Sequence, residues 1–497
     1  MLKFYLFRQL YGLYLADLVL FYIFTAKYKE VLMNIIGRKT EINELNRIME
    51  STSSEFVMVY GRRRVGKTFL IREYFANRFS FYATGIAQGT LQEQLMNFKL
   101  TLSATDTSIA NTNIRNWFEA FEALSRHLEK SKERKKIVFL DELPWMDTPR
   151  SNFIKALEHF WNTWASARND IILIVCGSAA SWMVKNIVKN HGGLHNRLTC
   201  KIRLSSFTLA ECKEYLHSLG IRWENRMIAE CYMVLGGIPY YLKMLDKRLS
   251  LAQNIDRLFF ADSALFEDEF SNLYASLFKN SAEYVRIVEV LAKKKSGYTR
   301  EEMLTQLKQS DGGSFTRRLE ELEQCGFIRK YHSAGDVSAI YQLIDFYSLF
   351  YFQFLKKGKS YDTDTWMHLA GTPAYHSWCG LSFEKLCLVH LPQIKQALGI
   401  SGIRTNSYAY YGKEAQIDLV IERGDNVVNL CEMKYTEDEF VITKAYAEKL
   451  QQKQAALRQY IKRKKSVQMT LISANGVKRN EYFYNLIQQD FTLDILF

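Results

Sequence analysis

From Asn34 onward, apolar positions with helical spacing alternate with short continuous apolar runs. Ile42, Leu45 and Ile48 repeat at helical intervals, Ser51 to Ser54 breaks the pattern, and Phe56-Val57-Met58-Val59-Tyr60 reads as a buried strand. Ile137 to Leu140 and Ile171 to Cys176 read as further strands, with helical stretches between them. Strands that are apolar on both faces and separated by helices predict an α/β layer with a parallel sheet. After about residue 205 helical periodicity takes over, through 210–219, 225–235 and 240–249, and predicts a separate helical lid. Near Tyr284 three helices are predicted, through 285–291, 301–307 and 314–324, closed by a strand at Gly326-Phe327-Ile328. That order suggests a winged helix-turn-helix. The end of the chain returns to an α/β pattern, with strands at 417–421, 427–431 and 468–472. The predicted boundaries are 1–33 for a hydrophobic extension, 34–208 for the core, 209–278 for the lid, 279–345 for the winged helix, 346–372 for a connector and 373–497 for the last domain.

Composition narrows the class. With 497 residues, 48% of them hydrophobic and only 5 Pro, the chain can bury several cores, which excludes disordered and collagen-like classes. Lys and Arg number 66 against 53 Asp and Glu, a net +13 that favours a polyanionic partner, either nucleic acid or an anionic membrane surface. The 8 cysteines show no C-x-x-C pair and no metal-ligand spacing, and they fit a reducing cytoplasm. His191 and His195 flank Gly192-Gly193, which reads as a loop and not as a metal site. Leu18 to Phe24 is a continuous apolar run, but Arg8 and Asp17 interrupt the stretch, and Leu18 to Ala26 falls short of the ~20 residues a membrane span needs. A start at Met33 is the preferred reading, and membrane attachment through residues 1–26 the alternative.

Chemistry first appears after the first strand. Gly61-Arg62-Arg63-Arg64-Val65-Gly66-Lys67-Thr68 satisfies G-x-x-x-x-G-K-[ST], and a helix continues from Phe69. Such a loop lets backbone N–H groups curl around a phosphate at a helix N-terminus, with Lys67 reaching the outer phosphates and the Thr68 hydroxyl coordinating Mg²⁺. The strand Ile137-Val138-Phe139-Leu140 ends in Asp141-Glu142, where Asp141 would hold Mg²⁺ and Glu142 would polarise an attacking water. Both motifs lie on their predicted strands and in order, so ATP with Mg²⁺ is the expected cofactor pair. Ser178, after the third strand, either acts as a polar sensor of the γ-phosphate or caps the next helix. Arg197 is either an arginine finger supplied to a neighbouring subunit or domain, or a plain surface arginine.

Five segments together carry a family resemblance: Ile35-Ile36-Gly37-Arg38-Lys39-Thr40-Glu41-Ile42, residues 61–68, Asp141-Glu142-Leu143-Pro144-Trp145, Cys176-Gly177-Ser178 and Gly236-Gly237-Ile238-Pro239-Tyr240-Tyr241-Leu242. The chain resembles the archaeal-type ATPases, P-loop proteins related to the AAA+ and STAND groups. The resemblance implies that Gly37 and Arg38 lie near the nucleotide base and that Gly236-Gly237 belongs to the lid closing over it. The chain differs from ordinary AAA+ enzymes in having Ser178 at the sensor 1 position and no evident sensor 2 arginine beside Gly236-Gly237.

The last domain carries a second constellation. Glu384 lies on a predicted helix, Asp418 in the strand 417–421, and Glu432-Met433-Lys434 at the end of the next strand. Asp418 and Glu432 can share a metal that activates water, and Lys434, on the face of the strand that Glu432 occupies, can stabilise the nucleophile or a charged phosphate. The arrangement resembles the PD-(D/E)xK restriction-endonuclease-like superfamily, with Ile417 in place of the motif's proline. The Gln-x-x-x-Tyr pattern of the following helix is not met, since Gln454 is followed by Arg458 and Tyr460 is out of register. In the winged helix, Arg317 and Arg318 are expected to face a DNA backbone, although Glu320, Glu321 and Glu323 offset their field, and packing or signal relay is an equal reading.

The expected fold is therefore an α/β P-loop ATPase core with a helical lid, a winged helix-turn-helix and a restriction-endonuclease-like α/β domain. The expected function is a cytoplasmic ATPase whose nucleotide state controls a DNA-binding or nuclease-like tail. The alternative is a STAND-like signalling switch whose nuclease fold is inert and binds a protein partner or a second copy of the chain. The positive surplus is expected at Arg62, Arg63, Arg64 and Lys67 for ATP, in a solvated loop at 130–136, and, for DNA, at Lys444, Lys449, Lys453, Arg458 and 462–465.

Overall fold

A computed structural model describes residues 35–188, 193–194, 196–332, 338–356, 365–412, 414–461 and 465–497. The N-terminal apolar run, His191, His195 and Lys462 to Lys464 lie outside the described residues. The chain forms two units, one of residues 35–61 with Gly66–Leu204, the other of Arg62–Val65 with Ser205–Phe497.

The first unit is built on five strands, β1 (Glu55–Gly61), β2 (Phe81–Thr84), β3 (Lys136–Asp141), β4 (Ile171–Gly177) and β5 (Cys200–Leu204), in the order β2-β3-β4-β1-β5. All four pairings are parallel. The three predicted strands are the three central ones, and β1, β3 and β4 are buried almost throughout, which is why their sequences are continuous apolar runs. The two edge strands escape an apolar-run search because each is short and alternates between buried and half-buried or exposed positions. Helices Leu91–Thr105, Trp117–Lys130 and Phe153–Thr163 pack on the sheet through an aromatic cluster in which Phe98 meets Trp117 and Phe121 stacks on Phe160 with ring centroids 5.2 Å apart. The expected solvated loop at 130–136 is more structured than that. Lys136 opens β3, is buried and pairs with Asp170 at 2.5 Å, while Lys130 pairs with Asp106 at 2.6 Å.

The second unit opens with helices Leu209–Ser218, Asn225–Leu235 and Pro239–Lys243. The expected helix at 240–249 is cut short at Lys243. The buried Asn254 amide takes over the backbone there, accepting from Asp246 N at 2.7 Å and donating to Asp246 O at 3.0 Å, and this fixes a turn where the apolar spacing suggested a continuing helix. Next come helices Ser281–Ala292, Arg300–Leu307 and Gly313–Gln324, with a three-stranded antiparallel sheet of β6 (Tyr298–Thr299), β7 (Ile328–His332) and β8 (Ala339–Leu343) in the order β6-β8-β7. The strand expected at 326–328 begins only at Ile328, because Gly326 is left-handed (φ 78°) and ends the preceding helix.

Residues from Pro373 onward build a third sheet of β9 (Thr405–Tyr411), β10 (Gln416–Arg423), β11 (Val427–Lys434), β12 (Ser466–Ser473) and β13 (Gln489–Thr492), in the order β13-β12-β11-β10-β9. The pairings of β10 are antiparallel, those of β12 parallel. The helix Lys444–Tyr460 makes the crossover between β11 and β12 and buries Leu450 and Leu457 against Leu430, Met469 and Leu471. Among the described residues no helix is long and apolar enough to cross a membrane, and all eight cysteines are buried free thiols.

Gly236 and Gly237 are both left-handed, and a Cβ on Gly237 would lie 2.5 Å from the Tyr232 ring and 2.6 Å from Phe207 O. Tyr232 cannot swing away, because its hydroxyl donates to that same carbonyl at 2.8 Å. Gly237→Ala is therefore expected to destabilise the second unit by about 2–4 kcal/mol through overpacking and left-handed strain, read as a lower midpoint in chemical denaturation.

Candidate functional site

The loop 61–68 leaves the end of β1 and enters the helix Lys67–Tyr74. Gly61 has φ 146°, and a Cβ there would lie 2.2 Å from Leu204 O at the end of β5, so only glycine lets the chain turn at this point. Gly66 caps the helix in a left-handed conformation. The Lys67 side chain is buried, and its ammonium donates to Gly61 O at 3.2 Å and to Ser178 Oγ at 3.0 Å. Ser178 Oγ in turn donates to Glu142 Oε1 at 2.8 Å. A hydroxyl has one proton and two lone pairs, so Ser178 can serve both contacts at once. The alternative role of Ser178 does not hold, since the next helix has Ala179 at its N-cap and no side-chain cap.

Beside this chain of contacts, Thr68 Oγ1 donates to Asp141 Oδ2 at 2.8 Å, and Asp141 Oδ1 accepts from Glu142 N at 2.9 Å. A hydroxyl and a carboxylate so placed fit Mg²⁺, which takes one or two protein oxygens and fills its octahedron with phosphate oxygens and water. Glu142 has φ 47°, uncommon for a residue with a side chain and of the kind that collects at reactive centres. Gly37 and Arg38 form a left-handed turn before the helix Lys39–Glu50, with Arg38 buried and 3.9 Å from Glu41. Phe69 is exposed on its helix, and Arg197 is exposed in a turn before β5.

Within the second unit two of the loop's three arginines are paired with carboxylates. Arg62 forms a buried ion pair with Asp345, and its guanidinium lies 4.9 Å from the centre of the Phe327 ring. Burial opposes the charge, but Asp345 outweighs it and holds the arginine above its usual pKa. Asp345 also accepts from Ser348 N at 2.9 Å and Ser348 Oγ at 2.6 Å. Arg64 pairs with Glu269 at 2.6 Å and lies 4.2 Å from the centre of the Tyr240 ring. Among the described residues Arg63 has no such carboxylate partner, and Val65 is buried. Asp345 and Glu269 lie outside every motif and Tyr240 lies within the segment 236–242, and nothing in the sequence marks their contacts with the loop.

The second constellation lies on the third sheet. The pairing of Leu419 with Cys431 leaves Asp418 and Glu432 at the next step, and the register on the other side of β10 shifts between Ile417 and Val420. A bulge of this kind re-aims side chains. Asp418, Glu432, Lys434 and Glu384, the last from the helix Pro373–Val389, line one cleft of about 570 Å³. Glu432 is buried and accepts from Lys453 at 2.7 Å and from the Tyr446 hydroxyl, with Lys434 at 3.1 Å. Burial raises its pKa, but Lys453 and Lys434 prevail and hold it below the usual range. Burial and the Asp418 charge push Glu384 up to about 7 against the pull of Lys295.

Lys295, from the turn between the helix Ser281–Ala292 and β6, pairs with Glu384 and lies 3.9 Å from Asp418. Among the described residues no three His, Cys, Asp or Glu side chains are gathered as a metal-holding cluster. Asp418 and Glu432, one step beyond the Leu419/Cys431 pair, supply two carboxylates, as many as Mg²⁺ takes from protein, while Glu384 and Glu432 also face lysines. Lys449 and Lys453, two of the cations expected to serve DNA, line the cleft, and Tyr446, one turn earlier on the same helix face and bonded to Glu432, is the residue the sequence reading missed, although its 3-residue spacing from Lys449 was readable. Arg317 and Arg318 do not stand free as expected. Arg318 lies 3.4 Å from Glu283, and Arg317 lies 3.9 Å from Glu321.

Residues 35–245 match a family described as an ATPase domain predominantly from Archaea. The chain is 24% identical over 417 residues to an uncharacterized protein of Methanocaldococcus jannaschii, covering 81% of this chain and 88% of that one. A 43-residue stretch, 9% of this chain, is 40% identical to an uncharacterized ATP-binding protein of the same organism and covers 73% of it. A Walker-type ATPase of Pyrococcus abyssi aligns in structure at 17% identity and a TM-score of 0.49, over 65% of this chain and 97% of that one. The family match and the loop geometry agree on an ATP-binding ATPase domain of P-loop type at residues 35–245.

Removing Asp345 leaves Arg62 buried without its carboxylate. Asp345→Ala is expected to cost about 3–5 kcal/mol, measured as the shift in the unfolding midpoint in guanidinium chloride.

Proposed function

We propose that the protein is a Mg²⁺-dependent ATPase whose nucleotide state governs a nuclease-like tail acting on DNA. The observation that carries the ATPase half is the run from Lys67 through Ser178 to Glu142 beside the Thr68–Asp141 pair. Mg²⁺, when bound, would offset the charge of the ATP phosphates. Lys67 would exchange the Gly61 carbonyl for phosphate oxygens, Thr68 and Asp141 would hold the cation, and Glu142 would take the proton of the water that displaces ADP from the γ-phosphoryl group. Gly37 and Arg38 lie against the base, and Arg197 serves as a finger in trans. Phosphate also competes with Asp345 and Glu269 for Arg62 and Arg64, which ties nucleotide binding to the packing of those carboxylates.

In this reading residues 209–278 are the lid and 279–345 a winged helix. Residues 373–497 are a restriction-endonuclease-like module, with Asp418 and Glu432 for the metal, Lys434 for the scissile phosphate and Glu384 as a further acid. The combination of three carboxylates with Lys434, Lys449 and Lys453 around one cleft supports it, because phosphodiester cleavage needs both a water-activating site and cations for the backbone. A second reading, a STAND-like switch with an inert tail that binds a protein partner or another copy, draws support from the lysines that hold those carboxylates.

Lys67→Ala is expected to abolish ATP binding in a fluorescent-nucleotide titration, and normal affinity in that variant would refute the site. Glu142→Gln should bind ATP normally but hydrolyse it about 10²–10⁴-fold more slowly, the usual contribution of a general base.

The tail is tested separately with purified protein, plasmid and Mg²⁺ or Mn²⁺. Nicking that disappears in Asp418→Ala and Lys434→Ala supports the nuclease reading, and intact plasmid under both metals favours the inert switch.

A further inference from the structure

Lys295 is held in place by more than its own side chain. Its carbonyl accepts from Gln342 Nε2 at 2.6 Å, and the neighbouring Ser296 carbonyl accepts from the Tyr331 hydroxyl at 2.6 Å. Gly297 follows at φ 79°, where a Cβ would lie 2.3 Å from Tyr341 O. The turn is thus hydrogen-bonded to β8 at Lys295 and to β7 at Ser296, and Gly297 packs closely against the β8 backbone. Lys294, the residue before, is occupied elsewhere, 2.8 Å from Glu302 and over the Tyr298 ring. Lys295 alone of this pair reaches Glu384 and Asp418, in the cleft lined also by Glu432 and Lys434.

An ammonium at this position competes with a divalent cation on Asp418, because it is paired with Glu384, lies 3.9 Å from Asp418 and carries a like charge. We propose that Lys295 is a built-in counter-ion of the nuclease-like site, holding Glu384 and Asp418 in place of a divalent cation, so that the site accepts metal only when the turn 293–297 withdraws with its sheet. The inference rests on the nuclease reading of the tail and adds its control, an off-state maintained by an element outside the catalytic sheet.

The test is Mn²⁺ titrated calorimetrically into the full-length, nucleotide-free protein, with Asp418→Ala used to identify binding at this site. Lys295→Met is expected to bind Mn²⁺ at least about tenfold more tightly than wild type, the size of effect one neighbouring charge produces. Lys295→Arg should stay as weak as wild type, and Lys294→Met, which deletes an equal charge one residue away, should leave the affinity unchanged. Equal Mn²⁺ affinity in wild type and Lys295→Met, or an equal gain in Lys294→Met, overturns the counter-ion role while Asp418-dependent binding upholds the metal site. If no variant shows Asp418-dependent binding, the nuclease reading fails and the inference falls with it.

Discussion

A buried ammonium organises the first unit. Lys67 sits almost wholly out of water, and an unpaired charge there would be far too costly to keep. Its partners come from the ends of different strands, Gly61 from β1 and Ser178 from just beyond β4. They meet because the sheet is parallel and in register, with Tyr60 opposite Gly177 and Leu140 opposite Val175. Parallel pairing brings the carboxyl ends of β1, β3 and β4 to one edge, where the loop, Asp141 and Ser178 become neighbours. The apolar interiors of the strands serve this arrangement by leaving the polar chemistry only their last residues.

The same logic explains what was readable in the chain. Central strands and the phosphate loop announce themselves, since burial on both faces demands unbroken apolar runs and the loop demands glycines at fixed spacing. The edges β2 and β5, like β13 in the third sheet, are short and partly exposed and leave weak local signals, and the longer β9 is mostly half-buried and breaks up any apolar run. The site was legible where its residues are close in sequence, as with Asp141-Glu142 or Glu432-Met433-Lys434. It was not legible where partners are far apart: Asp345 lies 283 positions from Arg62, and neither residue hints at the other. Lys295 belongs to the same group, because three consecutive lysines in a turn look like solvated surface until the fold sets one of them against Glu384.

Charge in the second unit follows a different rule from that in the first. The surplus of +13 suggested free basic surface, yet many of the suspected cations are engaged with carboxylates: Arg62 with Asp345, Arg64 with Glu269, Arg318 with Glu283, Lys453 with Glu432, and Lys465 with Glu422. Pairs of this sort specify which groups meet more than they add stability. They also set what a polyanion would have to displace to reach these side chains.

Ser178 has a single hydroxyl proton, and in the structure that proton is given to Glu142. One proton cannot serve two acceptors. An acceptor that captured this proton would leave Glu142 with the Ser178 backbone N–H, which donates to its other carboxylate oxygen at 3.4 Å. A serine thus gives its proton to one acceptor at a time, whereas an asparagine, with two amide protons to give, would serve two at once.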